Sequence, residues 1–467
     1  MTRAPLDLRP RLRIHVVGVG GPGMSGVALA LAGMGHTVSG SDIHDGPVIS
    51  RLRDAGVVVS IGHDSRLVDE CQAVTASPAI PEHNVEVVAA KDRGIFITRA
   101  GMLASICAVE QTLGVAGTHG KTTTTSLLVH IFERAGLDPN FVVGGDIKGY
   151  ATNARWSGGA WTIVEADESD GTHLELPLHG TILTNVDVDH LDHYGDYAGI
   201  VDAFDRYLNG IEGPKVVCCD DEAIVGLLRS SDRHSNFLTY GRAEGADFRF
   251  HGVEAIGGTT TFRIEADGIS ISLETNLRGL HNVSNITGAI AMAVTCGVDP
   301  MVAREAVSTF SGVGRRFDLR GRIDGVTFVD DYAHLPREID AVLTAARTSG
   351  DSWRRIIAVF QPNRFNRMSR ISHEYADAFR SADVIVLTDI YSSGTSEIAG
   401  VTGHLVVDAV LERHPHAEVV WVENRSDLAV RVSELLESGD VCISMGCGDI
   451  ETLPDEVLAV RRSAGET

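Results

Sequence analysis

The chain has 467 residues, 43% of them hydrophobic and 22% charged, a composition that suits a folded protein of about three domains at roughly 150 residues each. Its formal net charge of -23 excludes a surface built to coat nucleic acid, so an anionic substrate must be held by a few locally placed cations. Seven cysteines without a C-x-x-C pair exclude a disulfide framework and point to a reduced, cytoplasmic setting, and no apolar run approaches the ~20 residues of a membrane span.

The first element, "RIHVVGVGG" from Arg13, is a short apolar strand feeding a glycine turn. The segment "GPGMSGVALALAGMGHTVSGSD" adds an amphipathic helix and a second strand, completing a βαβ unit. Gly18, Gly20 and Gly23 fit G-x-G-x-x-G, and Asp42 ends the second strand. The pattern is a dinucleotide fingerprint, but its physics asks only for a diphosphate resting on a helix N-terminus. Uridine diphosphate meets that condition as well as NAD does. An NAD-dependent oxidoreductase would leave the motifs that follow without a role.

A second strand, "TLGVAG", runs into the loop Gly117 to Thr122 and the helical segment after Gly120. The common phosphate loop, G-x-x-x-x-G-K-[ST], would carry a glycine at position 115, where Val115 stands. Loop amides at a helix start would still cradle phosphate, with Lys121 facing the β and γ phosphates and the Thr122 hydroxyl on Mg²⁺. The same residue types also build helix-capping turns; the strand before and the helix after favour phosphate.

Two further strands, in "TIVEADESD" and "TILTNVDVDHLDHYGD", end in acids. Ligands collect at the carboxyl ends of parallel strands, which makes Glu165 a candidate Mg²⁺ ligand, although an ordinary acidic loop would read alike. His190 and His193 form an H-x-x-H pair with no third or fourth ligand at zinc spacing. His190 remains a candidate for touching nucleotide or metal. Alternating residues between 215 and 275 predict a β-rich insertion. A third α/β run starts near "GVTFVDDYAHLPREI" and continues through "IIAVFQP", "DVIVLTDI", "EVVWV" and "DVCISMGCG". The predicted fold is therefore α/β in three domains: a Rossmann-like domain over 1–112, a central P-loop ATPase-type domain with a parallel sheet over 113–321, and a second Rossmann-like domain over 322–467.

Taken together and in this order, these signals resemble the Mur ligase family, through "GVGGPGMSG", "GTHGKTTTT", "EADESD", "TNVDVDHLDHY", "GLHNVSN", "GVGRRF", "DDYAHLPREI" and "FQPNRF". The resemblance covers nearly the whole chain and accepts the short loop G-T-H-G-K-T as a family variant. It implies that Gly18, Gly20, Gly21, Gly23, Met24 and Ser25, with Asp42, Ser77 and Arg99, hold a UDP-sugar. It implies ATP on Gly117, Thr118, His119, Gly120, Lys121, Thr122 and Thr123, with His281, Asn282 and Asn285 at the adenine and Arg316 (or Arg315) and Asp331 closing over the nucleotide. Thr122, Glu165 and His190 would hold Mg²⁺, and Lys121, Glu165 and His190 would be the catalytic group. His334, Arg364 and Arg367 would take the amino-acid carboxylate.

The branch of the family most resembled joins L-alanine to the lactyl carboxylate of UDP-N-acetylmuramic acid through an acyl phosphate, in peptidoglycan precursor synthesis. The implied partners are these small molecules and ATP, with no nucleic acid or membrane, in a monomer or weak homodimer whose domains close on binding. Three positions depart from the pattern: Leu335 and Asn363 stand where histidines are expected, and Cys447 where alanine is expected. Two readings beside the alanine ligase stay open: a recycling ligase that adds a tripeptide to the same UDP-sugar, which resembles the family closely, and, on account of the altered residues, a non-catalytic sensor of UDP-muramyl precursors. A glycine or serine substrate would be separated from alanine by only about 1–3 kcal/mol.

Overall fold

The computed structural model describes residues 5–230 and 236–465. The chain forms two compact units, one of residues 1–252, 262–273 and 283–311, the other of 253–261, 274–282 and 312–467.

In the first unit a five-stranded sheet contains β1 (Arg13–Val17), β2 (Thr37–Asp42), β3 (Val58–Ile61), β4 (Ala73–Ala76) and β5 (Phe96–Thr98), in the order β3-β2-β1-β4-β5 and parallel throughout. The order reverses direction beside β1, which opens a crevice at its carboxyl end. Gly18, the first residue beyond β1, sits in that crevice. This is the Rossmann-like domain expected from the first glycine turn.

Ten strands form the second sheet: β6 (Gln111–Ala116), β7 (Asn140–Ile147), β8 (Thr152–Arg155), β9 (Trp161–Glu165), β10 (Gly180–Leu183), β11 (Lys215–Cys218), β12 (Phe237–Gly241), β13 (Phe248–Ile256), β14 (Thr259–Ala266) and β15 (Ile269–Thr275). Their order is β15-β14-β13-β12-β11-β10-β6-β9-β7-β8, with β6 parallel to both neighbours. The chain thus leaves β6 for one side and later returns on the other, placing a second crevice at Ala116. Strands β13 to β15 supply the β-rich insertion, and β14 and β15 alternate buried with exposed residues because only one face meets the core.

The helix after β6, Lys121–Arg134, carries four threonines, poor helix formers, directly after its first residue. Packing overrides propensity here, since every residue from Thr122 to Phe132 is buried, and Thr125 Oγ1 returns a 2.8 Å hydrogen bond to the Lys121 carbonyl.

The second unit holds β16 (Asp318–Ile323), β17 (Val326–Asp331), β18 (Ile356–Phe360), β19 (Val384–Thr388), β20 (Val419–Val422) and β21 (Val441–Met445), ordered β16-β17-β21-β18-β19-β20. All pairs are parallel except edge strand β16, which runs antiparallel to β17. Position 321, a domain boundary by sequence, lies inside β16. The arginine- and glycine-rich "DLRGRI" reads as a turn, yet an edge strand needs only one partner and tolerates such a sequence, here with a register shift between Leu319 and Gly321. Among the described residues no helix is long and apolar enough to cross a membrane.

Candidate active site

The loop beyond β6 takes its shape from glycine geometry and from the strand beside it. Gly117 has φ +126°, and a Cβ there would lie 2.1 Å from Thr184 Oγ1; Gly120 has φ +82°, and a Cβ there would lie 2.5 Å from Asn285 Oδ1. Neither position admits a side chain. The segment after β10 then fastens the loop from behind. Thr184 Oγ1 donates to the His119 carbonyl at 2.6 Å, Asn185 Nδ2 to the same carbonyl at 2.9 Å, and the His119 amide to Asn185 Oδ1 at 2.8 Å. The Asp187 amide donates to Thr118 Oγ1 at 2.8 Å, and the Asp187 carboxylate lies 3.1 Å from His119 Nε2. Thr184, Asn185 and Asp187 were not among the sequence candidates. The signal for them was "TNVD" directly after a strand, read as a ligand loop rather than as a brace.

Lys121 opens the helix. Its ammonium donates to the Gly117 carbonyl at 2.7 Å, the Thr118 carbonyl at 3.2 Å and Glu168 Oε1 at 2.7 Å. Burial works against its charge, but Glu168, Asp167 and Glu165 outweigh it and raise the lysine above its ordinary value. Glu168 is itself buried, and burial, only partly offset by Lys121, pushes its carboxyl up to about 7. It too was missed by the sequence reading, which took Glu165 from the same "EADESD". Burial would raise Asp167 as well, yet Lys121, Arg99 and the Ser169 hydrogen bonds hold it at about 2.

Thr122 and Glu165 meet directly: Thr122 Oγ1 donates to Glu165 Oε1 at 3.1 Å, while the Gly144 amide donates to Oε2 at 2.9 Å. A hydroxyl beside a carboxylate is a hard oxygen pair suited to Mg²⁺. His190 has φ +52°, and its ring lies 3.2 Å from the Asp189 carboxylate. Among the described residues no three His, Cys, Asp or Glu side chains form a metal cluster. The Thr122 hydroxyl and Glu165 carboxylate are oxygen donors that fit a hard ion keeping water and phosphate oxygens around it.

At the first crevice, Gly18 and Val19 donate their amides to the Ser41 carbonyl at 2.8 and 3.0 Å, and the Gly20 amide donates to Asp42 Oδ2 at 2.8 Å. Asp42 thus shapes the glycine turn. Ser77 stands against Gly18, with its Cβ 3.2 Å from where a Gly18 Cβ would be. Arg99 Nη1 lies 3.1 Å from the corresponding point on Gly23, and Arg99 Nη2 bonds Asp170 at 2.8 Å and Asp167 at 3.2 Å. The arginine so links the glycine turn to the acids beside Lys121. Met24 and Ser25, grouped with the turn by sequence, are buried; Ser25 spends its hydroxyl on the Pro22 carbonyl at 3.0 Å and its amide on Gly21 at 2.8 Å. Their place is in the helix packing, because the helix starts at Pro22 and turns these side chains inward.

His281 and Asn282 lie in the first turn of the helix Leu280–Thr295, where Asn282 Nδ2 donates to the Arg278 carbonyl at 2.8 Å.

The second unit collects its candidates at the carboxyl ends of β17, β18 and β21. Burial pushes Asp331 up to about 6 despite Arg316; its carboxylate accepts the Phe317 and Ala333 amides at 2.7 and 2.8 Å. Arg316 lies over the Tyr332 ring at 5.1 Å. Arg315 is consumed internally by Asp330 at 3.1 Å, Glu451 at 2.8 Å and the Gly446 carbonyl at 2.7 Å. Of the two arginines, Arg315 is therefore tied up inside the unit, while Arg316 faces Tyr332 and Asp331. The His334 amide donates to Glu338 at 2.9 Å. Arg364 has φ +62° and starts the helix Phe365–Ile371, and Arg367 Nη1 donates to Asn363 Oδ1 at 2.9 Å. Burial raises the Cys447 thiol, with Arg367 and Arg364 pulling the other way, so this cysteine shares their neighbourhood. Asn363 and Cys447 therefore both stand beside the two arginines. Leu335 is only 4% exposed and begins the helix Pro336–Thr348, a packing position rather than an open pocket wall.

Comparison with known proteins matches three consecutive family models to this chain: "Mur ligase family, catalytic domain" over 13–111, "Mur ligase middle domain" over 115–293 and "Mur ligase, glutamate ligase domain" over 315–448. The UDP-N-acetylmuramate–L-alanine ligase of Bradyrhizobium sp. (strain ORS 278) is 39% identical over 98% of this chain and 100% of its own length. That of Agrobacterium fabrum is 39% identical over 96% and 97%. The crystal structure of the UDP-N-acetylmuramate-alanine ligase from Thermotoga maritima superposes with a TM-score of 0.81 at 26% identity, covering 97% of this chain and 100% of that one. A murein peptide ligase from Psychrobacter arcticus shares the fold, with a TM-score of 0.70 at 23% identity over 96% and 98% of the two chains.

Proposed function

The chain belongs to the Mur ligase family, and from that premise we propose that it joins L-alanine to the lactyl carboxylate of UDP-N-acetylmuramic acid with ATP as phosphoryl donor. The observation that carries the reading is Lys121, held by a buried acid on a glycine loop at a strand end, in a chain similar over its full length to ligases of that name.

A carboxylate is a poor electrophile. Transfer of the γ-phosphoryl group to one of its oxygens releases ADP and leaves an acyl phosphate; the amine then attacks the carbonyl carbon and phosphate departs. Little covalent work falls to the protein, so alignment and charge neutralisation supply the rate. The amides of Gly117 to Thr123 and the Lys121 ammonium would take the phosphates, with Asn285 behind Gly120. Thr122 and Glu165, with His190, would hold Mg²⁺, which supplies positive charge to the phosphate oxygens when bound. Gly18, Gly20, Gly21 and Gly23 would receive the UDP diphosphate, with Asp42 and Ser77 keeping the turn open and Arg99 presenting a cation. In the second unit Arg316 and Asp331 would meet the nucleotide, and His334, Arg364 and Arg367 the alanine carboxylate. A ligase of nucleotide-activated precursors works where ATP is made available, in the cytoplasm.

The test is phosphate release from ATP with Mg²⁺ and UDP-N-acetylmuramic acid, repeated with L-alanine, glycine, L-serine and the tripeptide. Release should depend on L-alanine and yield the alanyl product by mass. Release with the tripeptide alone, or with no amine at all, would overturn the assignment. Arg367→Ala should raise KM for L-alanine about 10-fold or more, as expected for one lost hydrogen bond to a charged group, and leave KM for ATP within about twofold. Equal changes in both would remove Arg367 from the amino-acid site.

A further inference from the structure

An ammonium has three N–H donors, and Lys121 spends all three inside the protein, on the Gly117 and Thr118 carbonyls and on Glu168. A lysine in that state has no donor left for a phosphate. Of the three partners, Glu168 is the charged one, and it is oddly served: Oε1 carries the lysine, while Oε2 is buried without a hydrogen-bond partner. Among the described residues, the charged and titratable groups that act on it are Lys121, Asp167, Tyr194 and Tyr207, and of these Lys121 is the cation. If the lysine moves toward a triphosphate, the carboxylate is left buried beside Asp167 with nothing to neutralise it, which is costly.

Resting on the reading of Gly117 to Thr123 as the ATP loop, we propose that Glu168 is the positioning residue of Lys121: it parks the ammonium on its own loop in the nucleotide-free enzyme, and takes up a proton from solvent when ATP draws the lysine away. Charge then balances, because the triphosphate gains the cation and the proton replaces it on Glu168. The carboxyl is already poised for this, since burial lifts it to about 7 with the lysine still in place. Losing the lysine moves it higher, so the proton stays on at mildly alkaline pH.

Calorimetric titration of the whole protein with ATP, without the UDP-sugar, in two buffers of different ionisation enthalpy at pH 8 reads the protons directly. The native protein should take up about one proton per ATP bound, and its affinity should fall as pH rises from 6.5 to 8.5. Glu168→Gln, which keeps shape and loses charge, should take up about one proton fewer and bind ATP roughly tenfold tighter at pH 8, with the advantage shrinking toward pH 6.5. Zero uptake by the native protein overturns the proposal with no variant needed. Equal uptake by both proteins overturns it as well. Lys121→Met separates this from the reading beneath it. If that variant binds ATP as the native protein does, the loop assignment itself fails. If it weakens ATP while Glu168→Gln alters neither protons nor affinity, only the role of Glu168 fails.

Discussion

Lys121→Ala is expected to lower turnover by about 10³-fold or more while the protein still folds. The lysine ammonium is bonded to two carbonyls of its own glycine loop and to buried Glu168, while β6 and β10 pair with each other without it. Removing it deletes charge neutralisation at the transferring group without touching the sheet. It also leaves Glu168 buried without its cation, and that cost has a definite pH dependence. The folded-state carboxyl titrates at about 7 against an ordinary 4.5. Between those values the folded protein holds a proton that the unfolded chain has released, so this group's contribution to stability is present below about 4.5 and is lost as pH rises through 7. Without Lys121 the folded value moves higher, and the loss extends to higher pH. Thermal melts should therefore show a wider gap between Lys121→Ala and the native protein at pH 8 than at pH 6, alongside the lost turnover in the phosphate-release assay. Near-normal turnover in a well-folded variant would end the phosphate role.

Gly117→Ala is expected to cost about 3 kcal/mol or more of stability and to abolish ATP-dependent turnover. Two effects add at this position. The backbone sits at φ +126°, and the new methyl would fall 2.1 Å from Thr184 Oγ1 and 2.9 Å from the Asn185 carbonyl. Thr184 cannot step aside cheaply, because its hydroxyl is bonded to the carbonyls of Ala116 and His119. Gly136 provides the control: it has φ +74° with no atom within 4 Å of a new Cβ, so Gly136→Ala should cost only the left-handed backbone, about 1 kcal/mol. Chemical denaturation of both variants measures the difference. Equal losses would mean that the segment Thr184 to Asp187 does not brace the loop.

Much of the architecture was legible in one dimension, because its signals are local. Apolar runs such as "IIAVF" are strands buried on both faces, glycine turns follow β1 and β6, and the α/β alternation leads to parallel sheets. The strand, glycine turn and helix start that carry Gly117, Gly120, Lys121 and Thr122 were legible for the same reason: they are contiguous in sequence. Edge strand β16 was not, since an exposed edge carries no apolar pattern to read. Nor was the inward turn of Met24 and Ser25, which depends on the helix phase after Pro22.

The partners of these residues are what only the tertiary structure decided. Glu168 meets Lys121 across 47 positions, Thr184 meets His119 across 65, and Arg99 meets Asp170 across 71. No periodicity reaches that far. The first two pairs exist because parallel strands bring the carboxyl ends of β6, β9 and β10 to one edge, so the residues just beyond each strand become neighbours whatever their separation along the chain, whereas Arg99 reaches Asp170 from the start of the helix Arg99–Cys107 that follows β5 of the other sheet. The sequence by itself determined which segments would be strands, turns and helices, through the short-range physics of burial and backbone freedom. Which acid holds the lysine, which hydroxyl forbids a side chain at Gly117, and which of Arg315 and Arg316 is tied to Asp330 were decided by which segments the strand order brings together.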